Sequence, residues 1–327
     1  MNTAPTADPE IATRQLEHFP VAIFSMVMGI SGLTLVWLKA HTVLGLPVIV
    51  GEGLRGVASI LFIILLGVYG LKALRHPQSV VMEMRHPVRI NFFSTISISL
   101  LLLATAYVEA APEVALWLWG VGTVLHLSLT LAIFSSWLHH THYAIQHANP
   151  AWFIPVVGNI IVPIAGVRLA SPELSWFFFS IGLVFWIVLL TIVLYRLFFH
   201  EPLPARLTPT LFILLAPPSV GFIAYLQLNE NLDAFARILY YTALFLALLL
   251  ASNAMRFLRT PFFISAWAYS FPLAALTVAT LIMSARQPGP FFTLLGLGLL
   301  TLVSLVVATL TVKTLIAAGR RQICVPE

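Results

Sequence analysis

Residues 265–273 read SAWAYSFPL and stand in the middle of an apolar run covering about 261–284. A proline inside a helix removes one backbone hydrogen bond and collides with the preceding turn. In hydrocarbon that loss is tolerated only where neighbouring protein or a water-filled space satisfies the freed carbonyl. The Phe271-Pro272 step therefore predicts a helix that faces something other than lipid.

The rest of the chain supplies the membrane. Its 327 residues are 60% hydrophobic and 9% charged, with a mean hydropathy of +0.97, whereas soluble domains carry roughly 25% charged residues. About 20 apolar residues in a helix cross a ~30 Å hydrocarbon core. Runs of that kind fall at 19–39, 53–74, 88–108, 113–137, 150–169, 173–198, 208–228, 233–256, 261–284 and 290–316. They predict an all-α integral membrane protein of ten transmembrane helices, with a transmembrane domain over 19–317 and short tails at 1–18 and 318–327. The opening residues lack the basic and apolar regions of a signal peptide, so the first span is read as an uncleaved insertion signal. Cys324 is the single cysteine, which excludes an intrachain disulfide and a cysteine metal cluster.

Orientation follows the excess of Lys and Arg in cytoplasmic loops. Of the 17 basic residues, twelve fall on the N-terminal side of the spans and five (Lys39, Arg55, Arg168, Arg237 and Arg286) on the other. Both termini are therefore expected in the cytoplasm. The net charge of +5 is then a topology signal and calls for no nucleic acid.

Proline alternates along the spans. Odd-numbered spans begin or break at proline, as in HFPVAIF, RHPVRINFF, NPAWFIPVVGN, LTPTLFILLAPP and RTPFFISAWAYSFP, and even-numbered spans carry no internal proline. The pattern predicts five helical hairpins, each with an inner proline-containing helix and a smoother outer one. Proline in a first helical turn is harmless, which accounts for Pro87, Pro209 and Pro261. Pro155, Pro163, Pro217, Pro218 and Pro272 fall inside their spans and are read as kinks around a polar or water-filled centre, or packed in protein.

All twelve Asp and Glu residues lie in tails, loops or span ends. A proton-coupled pump keeps an acid in the membrane despite its cost of about 2.5–3.5 kcal/mol, and no such relay is present. His126 alone is mid-span, and one histidine is not a haem or metal site. The cluster LHHTHYAIQH (138–147) has no acid or Cys beside it and reads as an interfacial loop, with no metal and no cofactor. The sequence holds no Gly-rich phosphate loop, Asp-rich pair or nucleophile elbow, so enzyme chemistry is not expected. Movement of a solute remains, and a path without acids, flanked by Arg, suits an anion.

The helical period nominates lining positions. On the ninth span Trp267, Phe271, Ala274, Ala275 and Val278 share a face, with Ser270 beside them. On the fifth, Asn159 joins Gly158 between Pro155 and Pro163. On the third, Ser94, Ser97 and Ser99 follow a basic entrance, Arg85 and Arg89. Serines are also ordinary helix-packing residues in membranes, and the Phe271 ring has a packing reading too.

These segments together resemble the tellurite-resistance and C4-dicarboxylate transporter family, which includes bacterial TehA and the plant slow-type anion channels. The matching pieces are FPVAIFSMVMGISGL (19–33), HPVRINFF (86–93), NPAWFIPVVGNIIVPIAG (149–166), TLFILLAPPSVGFIAY (210–225) and WAYSFPLAALTVAT (267–280). The resemblance implies five hairpins around a central pore, a homotrimer with one pore per subunit, and conduction of small anions such as chloride or nitrate. It implies a bacterial inner-membrane protein, and a pore-occluding Phe that maps onto Phe271. The long phosphorylated termini of the plant channels have no counterpart in the short tails expected here, which puts that mode of regulation in doubt. Two rivals stand beside the channel: a carrier for C4-dicarboxylates such as malate or for oxyanions such as tellurite or sulfite, and a structural membrane subunit without flux.

Overall fold

The computed structural model describes residues 15–139, 143–287 and 289–324. Ten helical spans long and apolar enough to cross a membrane run over Val21–Leu44, Val48–Arg75, Arg89–Tyr107, Pro112–His139, Pro150–Leu169, Pro172–Phe199, Ala205–Leu228, Ala234–Ala251, Ile264–Arg286 and Pro290–Gly319. No strand occurs among the described residues. The protein is an all-α, multi-pass membrane protein.

Odd and even spans differ in environment as the proline alternation predicts. In the most apolar stretch of each odd span 72–78% of residues are buried, against 22–33% in each even span. The packing order explains this. The first span packs on the third, the third on the fifth, the fifth on the seventh, the seventh on the ninth, and the ninth returns to the first. This closed inner ring is clothed by the even spans, each of which packs on the inner helix before it and also touches the inner helix after it. Lipid offers no hydrophobic drive for helix association, so close approach of small residues must hold such a ring together. Gly182 of the sixth span is one such contact: a Cβ there would lie 2.4 Å from the Ile160 side chain of the fifth.

Every inner span starts as a 3₁₀ helix and continues as an α-helix. The 3₁₀ segments are Val21–Phe24, Arg89–Phe93, Pro150–Trp152, Ala205–Leu215 and Ile264–Tyr269, and the fifth span inserts another at Gly158–Ile161. The 11-residue stretch at Ala205–Leu215 is long for a helix type that rarely exceeds 3–4 residues. The prolines sit at these changes of type. Pro163, Pro217 and Pro218 occupy the first two positions of α segments, and Pro155 and Pro272 the third. A proline there removes few useful donors, because the first N–H groups of an α segment have no α-type partner. Pro209, expected in a harmless first turn, instead lies within the long 3₁₀ segment, and Pro261 precedes its helix altogether.

Two short helices, Pro77–Arg85 and Ala254–Arg259, connect spans at the edge of the bundle. The sequence reading left the first as a loop and ran the eighth span on to 256, whereas that span ends at Ala251. The first short helix carries Glu83, which is buried and accepts from the Tyr69 hydroxyl (2.7 Å), Lys72 Nζ (3.0 Å) and the Val21 backbone N–H (3.3 Å). Lys72 also donates to the Phe19 carbonyl (2.7 Å). One buried ion pair thus ties the start of the first span to the end of the second.

Candidate functional site

Two cavities lie inside the inner ring, one above the other. The first, about 700 Å³, is bounded by the N-terminal halves of the odd spans. Its wall follows a three-residue spacing: Phe92, Thr95 and Ile98 on the third span, Ile154, Val157 and Ile160 on the fifth, Ser265, Ala268 and Phe271 on the ninth. That spacing is the mark of 3₁₀ geometry, in which side chains three apart eclipse. The second cavity, about 1440 Å³, is bounded by the C-terminal halves, with Thr105 on the third span, Gln227 on the seventh, and Ala274, Ala275 and Val278 on the ninth.

Phe271 and Val220 line both cavities. The partition between the two spaces is therefore built from the ninth and seventh spans. The ring of Phe271 has a defined seat: a Cβ on Gly32 of the first span would stand 3.3 Å from Phe271 Cδ2 and 2.9 Å from Ala274 Cβ. Gly32 lines the second cavity, so the absent side chain leaves room for the aromatic ring. Trp267 lines the first cavity and is anchored from behind, its Nε1–H donating to Thr314 Oγ1 of the tenth span at 2.9 Å.

The nominated positions divide accordingly. Trp267, Phe271, Ala274, Ala275, Val278, Pro217 and Pro272 line a cavity, whereas Ser94, Ser97, Asn159, Ser270, Pro155, Pro163 and Pro218 line neither. Ser97 contacts His126 Nδ1 (2.8 Å), Ser270 donates to the Trp267 carbonyl (2.6 Å), and Asn159 Nδ2 donates to Thr130 Oγ1 (3.0 Å) and the Val156 carbonyl (2.7 Å). Arg85 and Arg89 stand at the N-terminal ends of the bundle and line neither cavity. The basic residues that do are Lys39 and Arg55, together with Glu52 and Glu109, around the second cavity. Arg55 lies over the Tyr107 ring, 5.0 Å from its centroid. Glu109 pairs with Arg168, and that hydrogen bond holds its carboxyl below the usual carboxylate range.

The first cavity carries no charged residue. Its three hydroxyls are turned to backbone: Ser25 donates to the Ala22 carbonyl, Thr95 to Phe92 and Ser265 to Arg206. An ion there would meet apolar walls and few free donors, an arrangement that holds ions weakly and so favours passage over retention. No group of metal-binding residues occurs among the described residues, while His140 and His142 of the histidine cluster lie outside them.

The sequence profile of the family described as SLAC1: Voltage-dependent anion channel matches residues 18–315. The chain is 29% identical over 310 residues to the S-type anion channel SLAH3 of Arabidopsis thaliana, covering 93% of this chain and 49% of that protein. It is 26% identical over 325 residues to the uncharacterized transporter MJ0576 of Methanocaldococcus jannaschii, covering 91% and 93%. To the tellurite resistance protein TehA homolog of Haemophilus influenzae it is 26% identical over 262 residues, covering 79% of each. The chain thus spans about half the length of the plant relatives it matches.

Proposed function

Because the chain belongs to the SLAC1 voltage-dependent anion channel family, a family of anion channels and transporters rather than enzymes, we propose that it is a passive, gated anion channel closed by Phe271. One observation carries this reading: the Phe271 ring borders both cavities and so stands across the only line that joins them through the partition. An aromatic ring in an apolar constriction excludes water, and an anion cannot shed its hydration there without replacement ligands. Opening moves the ring or spreads the inner helices.

The conducted species is a small anion such as chloride or nitrate, on the strength of the acid-free inner walls and the cations Lys39 and Arg55 at the second cavity. Both termini face the cytoplasm of a bacterial inner membrane, in keeping with the distribution of Lys and Arg. The homotrimer, with one pore per subunit, follows from the family resemblance.

The test is anion current from the purified protein under chloride, nitrate and malate gradients, wild type against Phe271→Ala. Removing a barrier of about 1.4 kcal/mol raises a rate about tenfold, and the alanine variant should gain at least that much current with reversal following the anion gradient. Saturable uptake without current in either protein would assign a carrier for dicarboxylates or oxyanions and leave Phe271 a packing residue. Absence of flux by either route would favour a structural subunit.

A further inference from the structure

His126 is fully buried in the fourth span, and its Nε2 has no hydrogen-bond partner. Its neighbours on the same face do have partners: Trp119 donates to the Val162 carbonyl (3.0 Å) and Thr130 to the Pro155 carbonyl (2.6 Å), both on the fifth span. Between these two braces the imidazole meets Gly158, where a Cβ would lie 2.7 Å from both Cε1 and Nε2. Gly158 and Ile98, which closes on the same point, both line the first cavity. The ring therefore stands immediately behind the pore wall, at a residue with no side chain to screen it.

The hydrogen-bond chain on the other side fixes the tautomer. Ser97 Oγ donates its one proton to the Ser94 carbonyl (2.9 Å), so His126 Nδ1 is the donor to Ser97 Oγ (2.8 Å). Nε2 then carries a lone pair and no proton. We propose that His126 Nε2 is a proton-binding site coupled to anion occupancy of the first cavity. The step is a simple proton transfer: Nε2 takes a proton from water in the cavity, which leaves hydroxide to the bulk, and the neutral ring becomes an imidazolium.

The coupling is electrostatic. A cation inside an apolar wall is costly until an opposite charge stands across from it, and the thin wall at Gly158 allows an anion to do so. By linkage, the anion raises proton affinity by the same factor as the proton raises anion affinity. No other charge competes nearby. On the elements packed against the fourth span, the charged or titratable groups are Arg89 and Arg168, with Glu113 and His139 on the fourth span itself; each sits at a helix end, and Arg168 is paired with Glu109. Tyr107 ends the third span beside Arg55. The groups that face the ring are Ser97, Ile98 and Gly158.

This inference rests on the reading that the first cavity admits anions, and the test separates the two. Imidazole NMR on the whole protein in lipid nanodiscs, with His126 identified through His126→Gln, reads the titration in chloride and in gluconate. Chloride should raise the proton affinity of His126 about tenfold, one pH unit. Ser97→Ala keeps the imidazole and frees its tautomer, and should shift that titration without abolishing it. In parallel, the Phe271→Ala current in chloride should rise several-fold on going from about pH 7.5 to about pH 5.5, and lose that rise with His126→Gln added. A titration identical in the two salts, or a His126 signal that never titrates, overturns the proposal even if the channel conducts. Displacement by chloride without any current supports the proton site and removes the channel reading instead.

Discussion

At the level of single residues, the partition is a contact between Phe271, Val220 and the gap at Gly32. Val220→Ala trims the opposite lip, so it should raise basal anion current less than Phe271→Ala does. Val220→Phe should suppress the current of Phe271→Ala, and single-channel recording distinguishes both from wild type. Gly29 is tighter still: a Cβ would fall 2.2 Å from Ser270 Oγ and 2.8 Å from the Trp267 ring. Gly29→Ala should therefore destabilise the protein by about 1–3 kcal/mol through overpacking, visible as a lower thermal transition in detergent. Phe271 was legible because a bulky residue before a mid-span proline has few other uses. The serines of the third span were not, because α-periodicity was applied to a stretch whose lining positions, 92, 95 and 98, repeat every three residues. Val220 gave no signal at all, being one valine among many.

At the level of elements, ten spans and their alternation could be read from apolar length and proline placement, since both are imposed locally by the bilayer and by backbone chemistry. The change from 3₁₀ to α within each odd span could not, because it depends on packing inside the ring. Nor could the helix Pro77–Arg85, whose Glu83 finds Lys72 and Val21 only in three dimensions. Lys72 and Glu83 are both buried, and removal of one member of a buried pair costs about 3–5 kcal/mol. Lys72→Met or Glu83→Leu alone should show that loss in chemical unfolding, and the double variant should recover most of it. The eighth span starts differently, with Asp233 as its cap. The Ala236 backbone N–H, then the Tyr225 hydroxyl, hold this carboxyl below the usual carboxylate range. A depressed value in the folded state stabilises above the unfolded value and is lost as pH falls through the folded one. Acid should therefore loosen this helix start, and hydrogen exchange at Ala236 should report it, with Asp233→Asn less sensitive to pH.

At the level of the whole molecule, all five hairpins point the same way around one axis. The pathway then has no second half facing the opposite direction to rock against, which fits a pore better than a carrier. Cys324 offers a test of orientation: burial pushes its thiol up, so maleimide labelling should be slow near neutral pH, faster in mild base, and confined to reagent on the cytoplasmic face. The closure of the ring has another consequence. The ninth and tenth spans pack on the first, Lys72 reaches the Phe19 carbonyl, and Cys324 lies within electrostatic range of that same Lys72. The two ends of the described chain are thus neighbours, and the cylinder has a seam only by convention. A circular permutant joining the present ends through a short flexible linker, and opened instead in the connection between the fourth and fifth spans, should insert and assemble the same bundle.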